Sequence, residues 1–440
     1  MPKRLLLATS LLLTGFAGHA QWATQTVPFQ GQAVANFLDA VSSTVCWAAA
    51  ADQVTYAPRH DFARTIDDGT TWTVGTIGLM NTNEEISALA AIDATTACIA
   101  THENGVGGRI FRTTNGGTSW TAQTTVGQID YPLMLHFFTA QLGVCVGEPR
   151  TGSTKFELYR TADGGLTWTA VPAANMPNRL TDEGTAGYPF GQGTNFWFIT
   201  DKGRVFRTTD QGLTWAVGDT GLNQFVQTVA FRDNLNGVAV AVKLTSAAAH
   251  RMVKTSDGGA TWQPMTYTGP LRGWQLAYVP GTASLLAVGL NRYGANQDYG
   301  SSLSRDNGQT WTALETTREH IRLDAAGPSA VWTGAYTSTS GAGLGVYKLN
   351  ATVLAAPSAT AARTSRVYPN PAQGGRFRVA LGAAGPVQAE VVDALGRPVY
   401  RFVGAATTEL PLDLSGQAAG FYLLRLQAGG SSSQHKLVVE

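Results

Sequence analysis

One eight-residue pattern recurs six times at nearly constant spacing, and no other property of the chain restricts its fold as strongly. It reads Thr65-Ile-Asp67-Asp-Gly69-Thr-Thr71-Trp72 at its first occurrence. It returns around Asn115, Gly117 and Trp120, then around Asp163, Gly165 and Trp168. The later copies carry Asp210, Gly212 and Trp215, then Asp257, Gly259 and Trp262, and finally Asp306, Gly308 and Trp311. The tryptophans are 48, 48, 47, 47 and 49 residues apart. A fixed period of this length is the mark of a repeat architecture in which each copy is one supersecondary unit.

Each copy follows a short apolar-polar stretch, such as Arg109-Ile-Phe-Arg112 or Val205-Phe-Arg207, and a further strand-like segment lies upstream. Short strands with turn signals about every ten residues describe a four-stranded propeller blade. Within the motif, Asp can accept from its own turn and Gly can adopt a positive φ. Tryptophan then opens the outgoing strand with a large side chain to bury. Residues 21–352 span 332 positions, which the period divides into seven units. The chain ends supply the seventh. Gln21-Trp22 resembles Ser119-Trp120 without its preceding strands, and Val346-Tyr-Lys348 resembles Ile110-Phe-Arg112 without a following motif. The expectation is an all-β, seven-bladed propeller closed by its N-terminal strand, which would remove exposed sheet edges.

Charged residues are only 14% of the 440, and the net charge is +1, so no electrostatic footprint for nucleic acid exists. Residues 1–20 read as a signal peptide: Lys3 and Arg4, an apolar run from Leu5 to Ala17, then Gly18-His19-Ala20. No later stretch is apolar for long enough to span a membrane. Cys46, Cys98 and Cys145 occupy similar places on the second strand of successive blades. Such places lie too far apart for a bridge, so buried free thiols are expected. Residues 353–365 read as an Ala/Thr/Ser-rich linker, and 366–440 as a small C-terminal β-sandwich.

The eight-residue motif resembles the Asp-box, or BNR repeat, of sialidases, sortilin ectodomains and xyloglucanases. Its even spacing, and the basic residue before it (Arg64, Arg112, Arg160, Arg207, Lys254), look most like the photosystem II assembly-factor propellers. That likeness implies a non-enzymatic binding or assembly scaffold over residues 22–350. The C-terminal segment resembles the type IX secretion sorting domain of Bacteroidetes. Tyr368-Pro369-Asn370-Pro371, Asp393-Ala-Leu-Gly396, Gly420-Phe-Tyr422 and Lys436-Leu-Val-Val439 carry the resemblance. It implies delivery through periplasm and outer membrane to the surface or medium, with the secretion machinery as partner.

A ligand site is expected on the face opposite the repeated turns, in the loops between blades and between second and third strands. Those loops carry Arg59, Glu103, Glu148, Arg150, Arg179, Asp201, Arg292 and Tyr293. The ligand would be an unidentified protein or glycan, and the chain would act as a monomer. A sialidase-type exo-glycoside hydrolase is the alternative, because arginines could clamp a carboxylate bidentately. No cofactor is expected, and no metal site: cysteines and histidines are scattered, and each repeated turn offers too few carboxylates for calcium. The basic residues before the turns are expected to serve inter-blade contacts with their stems packed on tryptophan. Deleting residues 21–30 is predicted to abolish cooperative thermal unfolding; an unchanged calorimetric transition would contradict closure by the N-terminal strand.

Overall fold

The computed structural model describes residues 21–31, 33–79, 81–103, 105–222, 226–243, 249–291, 298–336, 345–354, 366–381, 385–394, 396–428 and 431–440. Residues 1–20, expected to be a signal peptide, residues 355–365 of the expected linker 353–365, and Arg292 and Tyr293 lie outside the described residues. The chain divides into two compact units, Met1–Leu354 and Ala355–Glu440.

The first unit is all-β and is built from antiparallel meanders. Strands Ala33–Ala40, Cys46–Asp52, Asp61–Thr65 and Thr73–Thr76 form one four-stranded sheet in chain order. Similar sheets follow from Glu85 to Ala122, Pro132 to Ala170, and Gln275 to Glu315. Between the last two, meanders spanning Thr185–Asp219 and Val226–Met265 join into an eight-stranded sheet through one parallel contact, Tyr188 to Thr228. The remaining sheet combines Glu319–Gly327, Ala330–Tyr336 and Val346–Leu349 with the first strand of the unit, Trp22–Gln25. There Trp22 pairs with Leu349 and Gln25 with Val346. Trp22 is buried, donates from Nε1 to Ser301 Oγ at 2.8 Å, and packs on His320.

The repeated turns are the six third-to-fourth strand connections, and their chemistry is the same each time. Thr161 Oγ1 donates to Asp163 Oδ1 at 2.8 Å and accepts from Gly165 N at 2.8 Å. Asp163 in turn accepts from Thr167 N at 2.9 Å and Thr167 Oγ1 at 2.6 Å. Asn115 and Ser119 replace the aspartate and threonine in one copy without losing the pattern. The turn closes only because two successive residues take positive φ, for example Gln211 at 60° and Gly212 at 86°. At the second position a side chain is excluded sterically as well: a Cβ on Gly212 would collide with Val144 Cγ1 of the preceding meander. Of the six tryptophans that follow, Trp72, Trp168, Trp215 and Trp311 are buried. Trp120 and Trp262 are only half-buried, with Trp120 edge-on to Trp47 and Phe62 and Trp262 edge-on to Phe231.

Several contacts between meanders run from side chains to backbone carbonyls. Arg112 Nε donates to Gly164 O at 2.7 Å, and Arg160 Nε to Gln211 O at 2.9 Å, in each case reaching the repeated turn of the next meander. Arg64 instead donates to Ala94 O, in the first-to-second strand hairpin of the next meander. Trp47 Nε1 to Asp93 O at 2.9 Å and Trp197 Nε1 to Gly258 O at 2.8 Å add two more. Arg64, Arg112 and Arg160 are therefore engaged with neighbouring meanders, whereas Lys254 is exposed.

The second unit has a three-stranded sheet (Arg366–Tyr368, Arg376–Ala380, Glu409–Asp413) and a four-stranded one. The latter orders Pro398–Ala406, Gly385–Val392, Gly420–Ala428 and Ser431–Val439. Both sheets contribute to one core, with Phe377, Val379 and Leu412 from the first and Val391, Leu424 and Leu437 from the second. Replacing Gly212 by Ala is predicted to destabilise the first unit by about 2 kcal/mol or more through backbone strain and collision. Gly31→Ala, at φ 68° with open space around it, should cost less. Chemical denaturation of both variants checks the difference.

Candidate functional site

The loop face predicted from the sequence carries charges that are largely satisfied within it. Arg59 pairs with Asp61 at 2.5 Å and donates to Gln30 O at 2.8 Å. Arg150 bridges Glu157 at 2.6 Å and Asp130 at 3.2 Å, and its Nη2 also donates to the carbonyls of Gly127 and Gln128. Arg179 donates to Ser153 O at 2.8 Å and to Glu183 O at 3.2 Å. Glu103 accepts from Asn81 Nδ2. Glu148 accepts from Thr185 N at 3.0 Å, and Asp201 accepts from Gly184 N at 3.1 Å, so these two carboxylates share one short segment. Burial raises the Glu148 carboxyl against the bonds from Thr185.

Two further clusters on this face centre on Glu84 and Glu183, and they are alike. Glu84 pairs with Arg109 and accepts from Thr101 Oγ1 at 2.9 Å. Glu183 pairs with Arg204 and accepts from Thr200 Oγ1 at 2.6 Å. Burial pushes Glu183 up, but Arg204 and Thr200 hold it below the usual carboxylate range. In both meanders the glutamate precedes the first strand, the threonine lies at or near the end of the second and the arginine begins or lies on the third. The recurrence marks them as parts of the repeat.

A cavity of about 280 Å³ lies elsewhere, and the first strand of every meander contributes to its lining. Leu38, Leu89 and Leu135 give it apolar walls, and Asp39, His136, Arg322 and Asp324 give it polar ones. Most of these residues approach the first-to-second strand hairpins, which in an antiparallel meander lie at the same end as the third-to-fourth turns. The cavity thus opens on the repeated-turn end, not on the predicted loop face. Asp39 Oδ2 accepts from Ala91 N at 2.8 Å, and Asp324 Oδ2 accepts from Ala40 N at 2.6 Å, each crossing to the next meander. Burial, and then the charge of Asp324, push the Asp39 carboxyl up to about 7; burial likewise raises Asp324. A sequence signal for the pair existed: each aspartate stands eight residues before a tryptophan with which it pairs in register, Trp47 and Trp332. Among the described residues no cluster of three His, Cys, Asp or Glu side chains could hold a metal ion, and no helix is long and apolar enough to cross a membrane.

In the second unit the sequence motifs meet in space. Asn370 Nδ2 donates to Lys436 O at 2.7 Å, and Asn370 Oδ1 accepts from Val438 N at 2.9 Å. Ala372 N donates to Val438 O at 2.9 Å, so the segment following Tyr368 covers the edge of the last strand. Gly396 N closes a turn on Asp393 O at 2.9 Å, and the buried Tyr422 donates from its hydroxyl to Ala418 O at 2.7 Å. Residues 366–440 match the secretion system C-terminal sorting domain. The protein is therefore secreted, to the cell surface or the extracellular space, and its sorting domain is the part that engages the secretion machinery. No curated protein sequence matches the chain. Among solved structures, YCF48 bound to D1 peptide superposes with a TM-score of 0.52 at 13% identity, covering 76% of this chain and 96% of that one. YCF48 from Cyanidioschyzon merolae gives 0.54 at 14% identity, covering 75% and 99%. These likenesses establish a propeller-like fold for the part outside the sorting domain.

The paired aspartates give a pH prediction. A carboxyl whose folded-state value is raised contributes stability that is complete below its unfolded value of about 3.8. That contribution is lost as pH rises towards 7. Asp39→Asn, which retains an acceptor for Ala91 N, should therefore gain melting temperature relative to the natural protein between pH 5 and 8. Equal shifts of both proteins across that range would refute the pairing.

Proposed function

We propose that residues 21–352 form a seven-bladed, non-enzymatic binding scaffold, closed by the strand Trp22–Gln25 and delivered outside the cell by the type IX route. The observation that carries this reading is the engagement of Arg59, Arg150 and Arg179. Each guanidinium is occupied by carbonyls or carboxylates of its own surroundings. A carboxylate clamp needs guanidinium edges left open towards a common point. Turning Arg150 towards a substrate would also leave the buried Glu157 carboxylate without its charged donor. The repeated turns act as scaffold in this reading, with Asp67, Asp163, Asp210, Asp257 and Asp306 holding hairpins rather than contacting ligand.

The ligand is a protein or glycan. A peptide is the more attractive class, since a propeller of similar fold, YCF48, was solved with a D1 peptide bound. The surface offered for it comprises Glu103, Glu148 and Asp201 with the neighbouring arginines. The sialidase-type hydrolase remains the alternative, motivated by the turns and the arginine-bearing loops. Purified residues 21–352 should show no turnover of fluorogenic sialosides or of a panel of other glycosides. Hydrolysis that disappears in Arg59→Ala, Arg150→Ala or Arg179→Ala would establish the enzyme and reject the scaffold.

A further inference from the structure

The motif residues of the sorting domain divide into two kinds. Asn370, Asp393, Gly396 and Tyr422 are consumed by the domain's own hydrogen bonds. Phe421 and Lys436 are not. Strand alternation between Gly420 and Leu426 sends Tyr422 and Leu424 into the core and leaves Phe421 outside, 60% exposed. Lys436 stands on the neighbouring strand, its Nζ 3.8 Å over the Phe421 ring. Four other cations of the domain are paired with carboxylates: Arg376 with Asp413, Arg378 with Glu409, Arg397 with Asp393, and Arg425 with Glu390. Lys436 instead rests on an aromatic face open to solvent.

A large exposed aromatic in a domain this small contributes nothing to its core, and an exposed cation–π contact adds only about 0.5–1 kcal/mol. The backbone beneath the pair is nevertheless fixed. Asn370, from the other end of the domain sequence, grips both the carbonyl of Lys436 and the N–H of Val438. A rigid backbone under an exposed aromatic and a cation is the arrangement expected of an anchor for a partner.

We infer that the Phe421–Lys436 patch is the surface by which the sorting domain is recognised at the outer membrane, with Asn370 as its positioning residue. The partner is a component of the secretion machinery presenting an apolar pocket to Phe421 and a carboxylate to Lys436. The inference rests on the match of residues 366–440 to the sorting domain.

The test is made with the full chain, in a host that carries the type IX machinery. The fraction of protein at the surface or in the medium is measured beside the fraction retained in the periplasm. Lys436→Glu and Phe421→Ala should each lower the exported fraction at least tenfold, while the melting transition of the purified chain stays in place. Lys436→Arg should be exported normally. Val403→Ala, an exposed position on the edge strand Pro398–Ala406, serves as the control and should also be exported normally. Normal export of Lys436→Glu and Phe421→Ala would overturn the inference, as would an equal loss in Val403→Ala. Retention of the unsubstituted chain would instead reject the sorting role on which the inference depends.

Discussion

In the first unit, a side chain of one meander donates to a backbone carbonyl of the next, and the rest of the architecture depends on this bond. Arg112 to Gly164 and Arg160 to Gln211 are the plainest examples. The acceptor carbonyls sit inside the repeated turns, whose threonine, aspartate and glycine fix the backbone before the neighbour arrives. Each turn therefore has two duties, to reverse the chain and to present an acceptor outward. Bonds from a charged donor contribute about 1.5–3 kcal/mol, and an unmet buried partner costs a comparable amount. A period that drifted would misplace donor and acceptor together, so the near-constant spacing has a physical cause beyond strand length.

Much of this was legible in the sequence because local chemistry repeats. The turns, the strands beside them and the buried thiols of Cys46, Cys98 and Cys145 all follow from residue type at a fixed interval. Lys348, which resembles the pre-turn arginines, pairs with Asp68 and lies over Trp332, as a basic residue at that register should. What the sequence did not convey is pairing at distance. Arg109 and Glu84 are 25 residues apart, and Arg204 and Glu183 are 21 apart, with nothing in their neighbours to announce the match. The distant partners of Arg59, Arg150 and Arg179 are equally invisible in the sequence. Asp39 and Asp324 come from opposite ends of the unit, and only the register opposite Trp47 and Trp332 links them.

A secreted protein with three thiols must keep them from reacting. Burial does this: it raises Cys98 to about 12 and Cys145 further, which leaves almost no thiolate to attack an oxidant or another chain. The same burial makes the cysteines part of the packing, with Cys98 and Cys145 sharing a core with Ile110 and Trp168. Stability in an oxidising medium is obtained without a disulfide.

The pairing of Trp22–Gln25 with Val346–Leu349 has a kinetic side. It joins segments more than 300 residues apart, and contacts of such separation form late because the loop they close is long. Until Val346–Leu349 has been synthesised, the opening strand has no partner and the sheet of Glu319–Gly327 lacks its outer edge. Completion of that sheet is thereby deferred until nearly all of the first unit has been synthesised.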